Sequence, residues 1–454
     1  MYWCLTLVPL LLIAAVHFGG QRRQELCFRS SNYWVAFYVA GYFLPIPMFA
    51  KGSDGWSETW GYAFSTFDDS LMKAVALATI GGLILSLSST SYQPDTNTLG
   101  AAARTRRPIA ISRRADFSIS GRRIAALAAV CLGALFVGVR LVGGVWFLVQ
   151  NLGDRINLFA GLNAFFLPLN MLIGMNFAIA AVRAVGNKFP AAIEAALLVT
   201  TLGALMLMGQ KANLFILVLG IAIIKMLPRG GVGVGWLSVA ALLGANALMI
   251  YEFVFREAIS IGVDPERLTV QGWLGYLIPQ ITGNLMQIQN LTVLVEGVPA
   301  TQPYLFGATY IAFFTLILPQ SLVAAKPLAA AGVHTLAFWP EVVIRESTTM
   351  PPGLFGEAYL NFGPAGFLAL CALVGLLLRY VERPFMFRKG LSAMSIVRIA
   401  SAGAMSLHFI RGEFFSPFLI LVGILAGARL VMIRHTAAAA APLVILGESA
   451  AFRR

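Results

Sequence analysis

Four groups of charged residues stand out in an otherwise apolar chain. Arg140 precedes Asp154 and Arg155, and Gln210-Lys211 lies between two apolar runs. Lys326, His334, Arg345 and Glu357 belong to one long connection, along with Arg256, Glu257, Asp264, Glu266, Arg267, Glu341 and Glu346. Arg411-Gly412-Glu413 separates the last two apolar runs. Lys211 and Arg411 sit in connections too short to carry them away from the apolar phase. A charge held beside hydrocarbon is costly and points first to a functional role; the bland alternative is a side chain that snorkels its charge outward. Fixed cations suit a phosphate-bearing ligand, because they stabilise a departing pyrophosphate without a metal. A carboxylate or imidazole beside them could deprotonate an attacking hydroxyl.

Other chemistries lack their residues. There is no phosphate-cradling glycine loop, no His-Glu-x-x-His and no Gly-x-Ser-x-Gly elbow. Gly230 to Gly235 reads as a turn between spans. His17, His334, His408 and His435 are scattered, and Cys4, Cys27, Cys131 and Cys371 show no ligand or disulfide spacing. Neither a metal nor a cofactor is expected.

The elements that must position these charges are membrane helices. Hydrophobic residues make up 58% of the chain and charged residues 12%, against roughly 25% charged in soluble domains. Apolar windows fall near 2–19, 31–50, 71–91, 124–141, 159–182, 190–209, 212–227, 232–254, 364–380, 391–409 and 415–433. The expected fold is all-α, a polytopic helical bundle of about eleven spans at ~20 residues each, with 1–454 as a single transmembrane domain. The net charge of +13 does not indicate a nucleic-acid partner, because the basic residues lie in short loops, where they encode orientation. With the N-terminus outside, most of the 33 Lys and Arg fall on the cytoplasmic side, including a basic loop at 92–123, a tail at 435–454 and Arg379 to Lys389. The run Arg104 to Arg123 then lies against anionic lipid headgroups. Tyr2 to Gly19 lacks a basic leader and reads as a first span rather than a cleaved signal.

The outer face then carries a large cap at 255–363. A full crossing by its apolar piece would move Arg379 to Lys389 outside, so Tyr304–Val323 is expected as a re-entrant or surface-lying helix. Irregular backbone at membrane depth requires protein or a water-filled cavity around it. After Arg140, Gly143-Gly144 breaks a span, and Val145 to Leu158 reads as an amphipathic interfacial segment.

One run narrows the function. Gly307…Leu318-Pro319-Gln320…Lys326-Pro327 is followed by Pro351-Pro352-Gly353-Leu354-Phe355-Gly356-Glu357-Ala358-Tyr359-Leu360-Asn361-Phe362-Gly363-Pro364-Ala365-Gly366. This resembles the Wzy-type O-antigen polymerases, the oligosaccharide repeat-unit polymerases of bacteria, from about residue 130 onward. Gln320 departs from that family's frequent Arg, and Gln210-Lys211 from its Ser-Arg or Gly-Arg turn; Lys keeps the charge without the bidentate fork. The resemblance implies a metal-independent, GT-C-like glycosyltransferase of the inner membrane acting at the periplasmic face. Its substrates would be undecaprenyl-diphosphate-linked oligosaccharides, with membrane lipids around it and a chain-length regulator as a candidate protein partner. Arg411, Lys211, Arg140, Lys326 and Arg345 would hold diphosphates, and Arg411 would also serve the chemistry. Glu357 or His334 would be the base. Tyr359, Asp154 and Arg155 would meet sugar, while Asn361-Phe362-Gly363 would pack the start of a span.

Two other classes remain open on sequence grounds. An O-antigen ligase would carry a similar bundle and a cap histidine such as His334. A lipid-linked glycan transporter or flippase would show ionisable residues at mid-membrane and matched helix breaks, and neither is evident here.

Overall fold

The computed structural model describes residues 2–18, 29–47, 66–90, 117–151, 165–226, 285, 287–316, 327–340, 349–386 and 391–434. Asp154, Arg155, Gln320, Lys326 and Arg345 lie outside these residues. So do the window at 232–254, the tail at 435–454, nearly all of the 92–123 loop and large parts of the 255–363 cap.

About 83% of the described chain is helical, and the protein is an all-α membrane protein. The first half holds α1 (Tyr2–Phe18), α2 (Ser30–Tyr42), α3 (Phe67–Thr90), β1 (Phe117–Ile119), α4 (Gly121–Leu141), α5 (Val145–Gln150), α6 (Phe166–Ala184), α7 (Ala191–Leu207) and α8 (Lys211–Met226). The second half holds α9 (Gln287–Gly297), α10 (Ala308–Leu316), α11 (Ala330–Phe338), α12 (Gly353–Met386), α13 (Ala393–Ala404), α14 (Ser406–Arg411), α15 (Phe415–Val431) and β2 (Met432–Arg434). Among the described residues, five segments are long and apolar enough to cross a membrane: Phe67–Thr90, Gly121–Leu141, Phe166–Ala184, Gly353–Pro384 and Ala393–Arg411. Outward faces carry large apolar side chains such as Leu11, Val130, Phe136, Val199 and Leu377. An apolar surface on this scale is stable against lipid rather than water.

Local signals start several of these helices. Asp68 and Asp69 place negative charge in the first turn of α3, at the positive end of its dipole. Ser120 and Ser392 cap α4 and α13, accepting from Arg123 N–H and Ser395 N–H at 3.4 and 3.2 Å.

Helix α6 is the hub and is buried along most of its length. It packs against α4, α7, α8, α13 and α15. Glycines let α6 and α15 approach at backbone distance: a Cβ on Gly174 would collide with Ile424 O, and one on Gly427 with Met171 O. With lipid outside the bundle, burial of apolar surface adds little drive, and close van der Waals contact of this kind holds helices together. A second layer joins α3 to α12 and α2. Its centre is aromatic: Tyr38 lies 4.5 Å from Tyr42 and 5.4 Å from Phe355, and Phe367 lies 5.8 Å from Phe355 and 6.1 Å from Tyr42.

The ends of the bundle differ in character. At one end β1 pairs antiparallel with β2, Phe117 opposite Arg434, and Asn187 donates to Phe117 O at 3.0 Å. The start of α4 and the ends of α6 and α15 therefore meet there. The start of α2, the end of α3 and the far end of α12 are joined by a buried ion pair. Arg29 Nε lies 2.9 Å from Glu382 Oε2, and the same carboxylate accepts from Ser31 N–H at 2.6 Å. Arg140, the α7–α8 turn, the start of α12 and the α14–α15 turn lie at the opposite ends of their helices.

The expected helix at Tyr304–Val323 corresponds in part to α10. Its described part is Ala308–Leu316, and 317–323 lie outside the described residues.

Candidate functional site

The site is organised by a break in α12. Gly363 has φ 66° and ψ −157°, a conformation closed to residues with a side chain, and Pro364 follows it. Proline has no N–H, so the carbonyl of Leu360 loses its intrahelical donor. The preceding loop supplies replacements: Leu305 N–H donates to Leu360 O at 3.2 Å and Phe306 N–H to Asn361 O at 3.1 Å. Tyr304 closes over the break, with its hydroxyl 2.9 Å from where a Gly363 Cβ would stand. The residues that mark this motif in the sequence therefore dock the 304–309 loop onto α12.

Glu357 and Asn361 lie one turn apart on one face of the first part of α12. Asn361 is fully buried. Its Oδ1 accepts from Gly307 N–H at 2.8 Å, and its Nδ2 donates to Thr309 Oγ1 and Glu357 O, each at 2.8 Å. Thr309 in turn donates to Glu357 Oε1 at 2.7 Å. The other carboxylate oxygen, Oε2, accepts from Phe414 N–H at 2.6 Å, at the start of α15. Glu357 is only 2% exposed. It thus joins the 304–309 loop on one side to the Arg411–Phe414 turn on the other. Tyr310 borders the cluster, its ring 5.8 Å from Phe414 and 6.4 Å from Phe362.

The turn itself brings Arg411 and Glu413 to the same place. Arg411 ends α14 and is half-buried, as is Glu413. Glu413 Oε2 accepts from Ala331 N–H at 2.8 Å, at the first turn of α11. Burial raises the Glu413 carboxyl above the usual carboxylate range, and the Ala331 N–H acts against that shift.

His334 lies one turn further along α11 and is fully buried. Its Nδ1–H donates to Met350 O at 2.8 Å, and burial lowers its pKa to about 4. The ring is neutral at pH 7 and packs edge-on against Trp339 at 4.9 Å. Among the described residues its Nε2 meets no hydrogen-bond partner. Asn290 of α9 donates to Pro351 O at 2.9 Å, tying α9 to the same strand of chain.

Among the other expected site residues, Arg140 is exposed in the last turn of α4 before Gly143 and Gly144, both at positive φ. Lys211 opens α8 after a tight turn in which Gly209 adopts φ 63°. A cation in a first helical turn opposes the helix dipole, so local helix energetics do not explain its presence. Both share the end of the bundle that holds Glu357 and Arg411. Tyr359 is 4% exposed and packed in the core. Among the described residues, no group of three His, Cys, Asp or Glu side chains could hold a metal ion.

Sequence reasoning assigned no role to Thr309 or Tyr310, and it noted Glu413 only as part of a charged turn. The Arg411-Gly412-Glu413 spacing was the usable signal for Glu413, whereas Thr309 carries none in the sequence. The chain matches no known family, no curated protein and no solved structure.

Proposed function

We propose that this protein is a polysaccharide repeat-unit polymerase of the bacterial inner membrane, built from about eleven spans of ~20 residues under a periplasmic cap at 255–363. The N-terminus is periplasmic, the tail cytoplasmic, and the site faces the periplasm. The donor is a growing glycan on undecaprenyl diphosphate, and the acceptor is a new lipid-linked oligosaccharide. A hydroxyl of the acceptor sugar attacks the donor's anomeric carbon, the bond from that carbon to phosphate oxygen breaks, and undecaprenyl diphosphate leaves. Arg411, Lys211 and Arg140, with Lys326 and Arg345 of the cap, offset the charge on the leaving diphosphate. Glu413, half-buried beside Arg411 and with raised proton affinity, takes the proton of the attacking hydroxyl.

The observation that carries this reading is the shared location of Arg140, Lys211, Arg411 and two carboxylates at one end of the bundle, beside the Gly-Glu-x-Tyr-x-Asn-Phe-Gly run. Replacing Arg411 with Ala should abolish polymer while lipid-linked single units persist. Long-chain polysaccharide at normal levels in that strain would refute the assignment of Arg411. Purified protein given lipid-linked repeat units alone, with EDTA present, should make polymer. A strict need for a lipid A core acceptor would indicate a ligase, and movement of substrate without new glycosidic bonds a transporter.

A further inference from the structure

We infer that Glu357 is a positioning residue, whose carboxylate sets the Arg411–Gly412–Glu413 turn against the Gly307–Thr309 loop. Its consequence for activity rests on the polymerase reading above.

Among the described residues, three hydrogen bonds anchor the turn between α14 and α15. Gly412 N–H donates to His408 O at 2.8 Å, which continues α14 by one residue. Glu413 reaches Ala331 N–H. Phe414 N–H reaches Glu357 Oε2. The first anchor is local and the second holds a side chain. The third fixes the backbone itself from another helix, 57 residues away in sequence. Gly412 is extended, with φ −86° and ψ 172°, so the chain reverses sharply just after Arg411. Loss of the third anchor frees the backbone that sets the direction of Arg411 and Glu413.

Glu357 is suited to this work because its two oxygens meet donors from two separate segments. Each oxygen already accepts a hydrogen bond, from Thr309 Oγ1–H and from Phe414 N–H, and the residue is almost wholly buried. Thr309 Oγ1 accepts from Asn361 Nδ2 and gives its own hydrogen to Glu357 Oε1. The chain of donors runs one way, from Asn361 through Thr309 to the carboxylate.

Three substitutions separate positioning from base chemistry. In E357Q the amide oxygen still accepts from Phe414 N–H, and the amide nitrogen donates to Thr309 Oγ1, which turns its own hydrogen away. E357D keeps the charge but is one methylene short of spanning both donors. E357A leaves Phe414 N–H without its acceptor. In the purified full-length chain, amide hydrogen exchange over residues 411–414 should accelerate more than tenfold in E357A and E357D and stay within about threefold of wild type in E357Q. Polymer formation from lipid-linked repeat units should follow the same order. E357Q should fall by about threefold, and E357D and E357A by about a hundredfold, the scale of a reacting group displaced by ~1 Å. The pH profile of E357Q should match that of wild type.

Unchanged exchange in E357A would overturn the inference. So would an inactive E357Q beside an active E357D, because that pattern requires the charge rather than the geometry. A wild-type protein that makes no polymer, together with accelerated exchange in E357A, would defeat the polymerase reading and leave the positioning role supported.

Discussion

Replacing Gly363 with Ala tests whether the α12 break is what docks the 304–309 loop. The backbone at φ 66°, ψ −157° lies in a region essentially restricted to glycine, and an alanine held there costs about 1–3 kcal/mol. The added Cβ would stand 2.9 to 3.1 Å from three atoms of the Tyr304 side chain. Tyr304 would have to move, straining the neighbouring bonds from Leu305 and Phe306 N–H to the Leu360 and Asn361 carbonyls, each worth about 1 kcal/mol. The total is about 3–5 kcal/mol if both bonds are lost, of which the backbone contributes about 1–3 kcal/mol. Thermal unfolding in detergent measures it, and amide exchange at residues 305–307 reads the docking directly. Trimming Tyr304 to Ala in the same chain should restore only the steric part. A G363A protein within about 0.5 kcal/mol of wild type, or full rescue by the Tyr304 substitution, would refute the claim that a glycine-only backbone holds the loop.

Two further outcomes follow from buried groups. His334 titrates near 6.5 when unfolded and at about 4 in the fold, so the unfolded chain binds more protons between those values. Its contribution is fully present above pH 6.5 and is lost as pH falls toward 4, about 2 kcal/mol by pH 5. H334Q, whose amide can still donate to Met350 O, should show a flatter stability profile between pH 7 and 5 in thermal scans; identical profiles would exclude this histidine as the source. At the other end, E382A strands Arg29 and Ser31 N–H and should cost about 3–5 kcal/mol. The melting temperature should drop by about 3–5 °C for a chain of 454 residues, and adding R29A should recover part of it; a loss under ~1 kcal/mol would mean that water reaches the pair.

The helices were legible because each is a run of apolar residues long enough to be read without a partner. Helices α1 to α4, α6 to α8 and α12 to α15 fall on apolar windows visible in the sequence, and α5 opens the segment expected as interfacial. Gly363-Pro364 read as the start of a span, whereas the fold makes it a break inside α12, with helix on both sides. The loop that fills the break was not legible, because Leu305 and Phe306 N–H groups have nothing in their side-chain pattern to advertise a distant carbonyl. Glu357 shows the same limit. Its position in a distinctive run singled it out, and that run pointed toward base chemistry. Its partners, Thr309 and Phe414, lie 48 and 57 residues away and leave no periodic trace.

The amino-acid sequence alone determined the class of this protein. A chain with so little charge and so much apolar surface has no stable arrangement in water, and hydrogen-bonded helices are the form its backbone can take in lipid. It also determined that Lys211 and Arg411 would stand at helix ends, because the connections holding them are short. Only the tertiary structure decided which carboxylate has both oxygens held and which is tied through one. Glu357 and Glu413 are the same residue type in the same region, and their difference lies in the donors around them. Those donors are brought together by the glycine-permitted break in α12 and the reversal after Arg411, from segments that meet only in the folded chain.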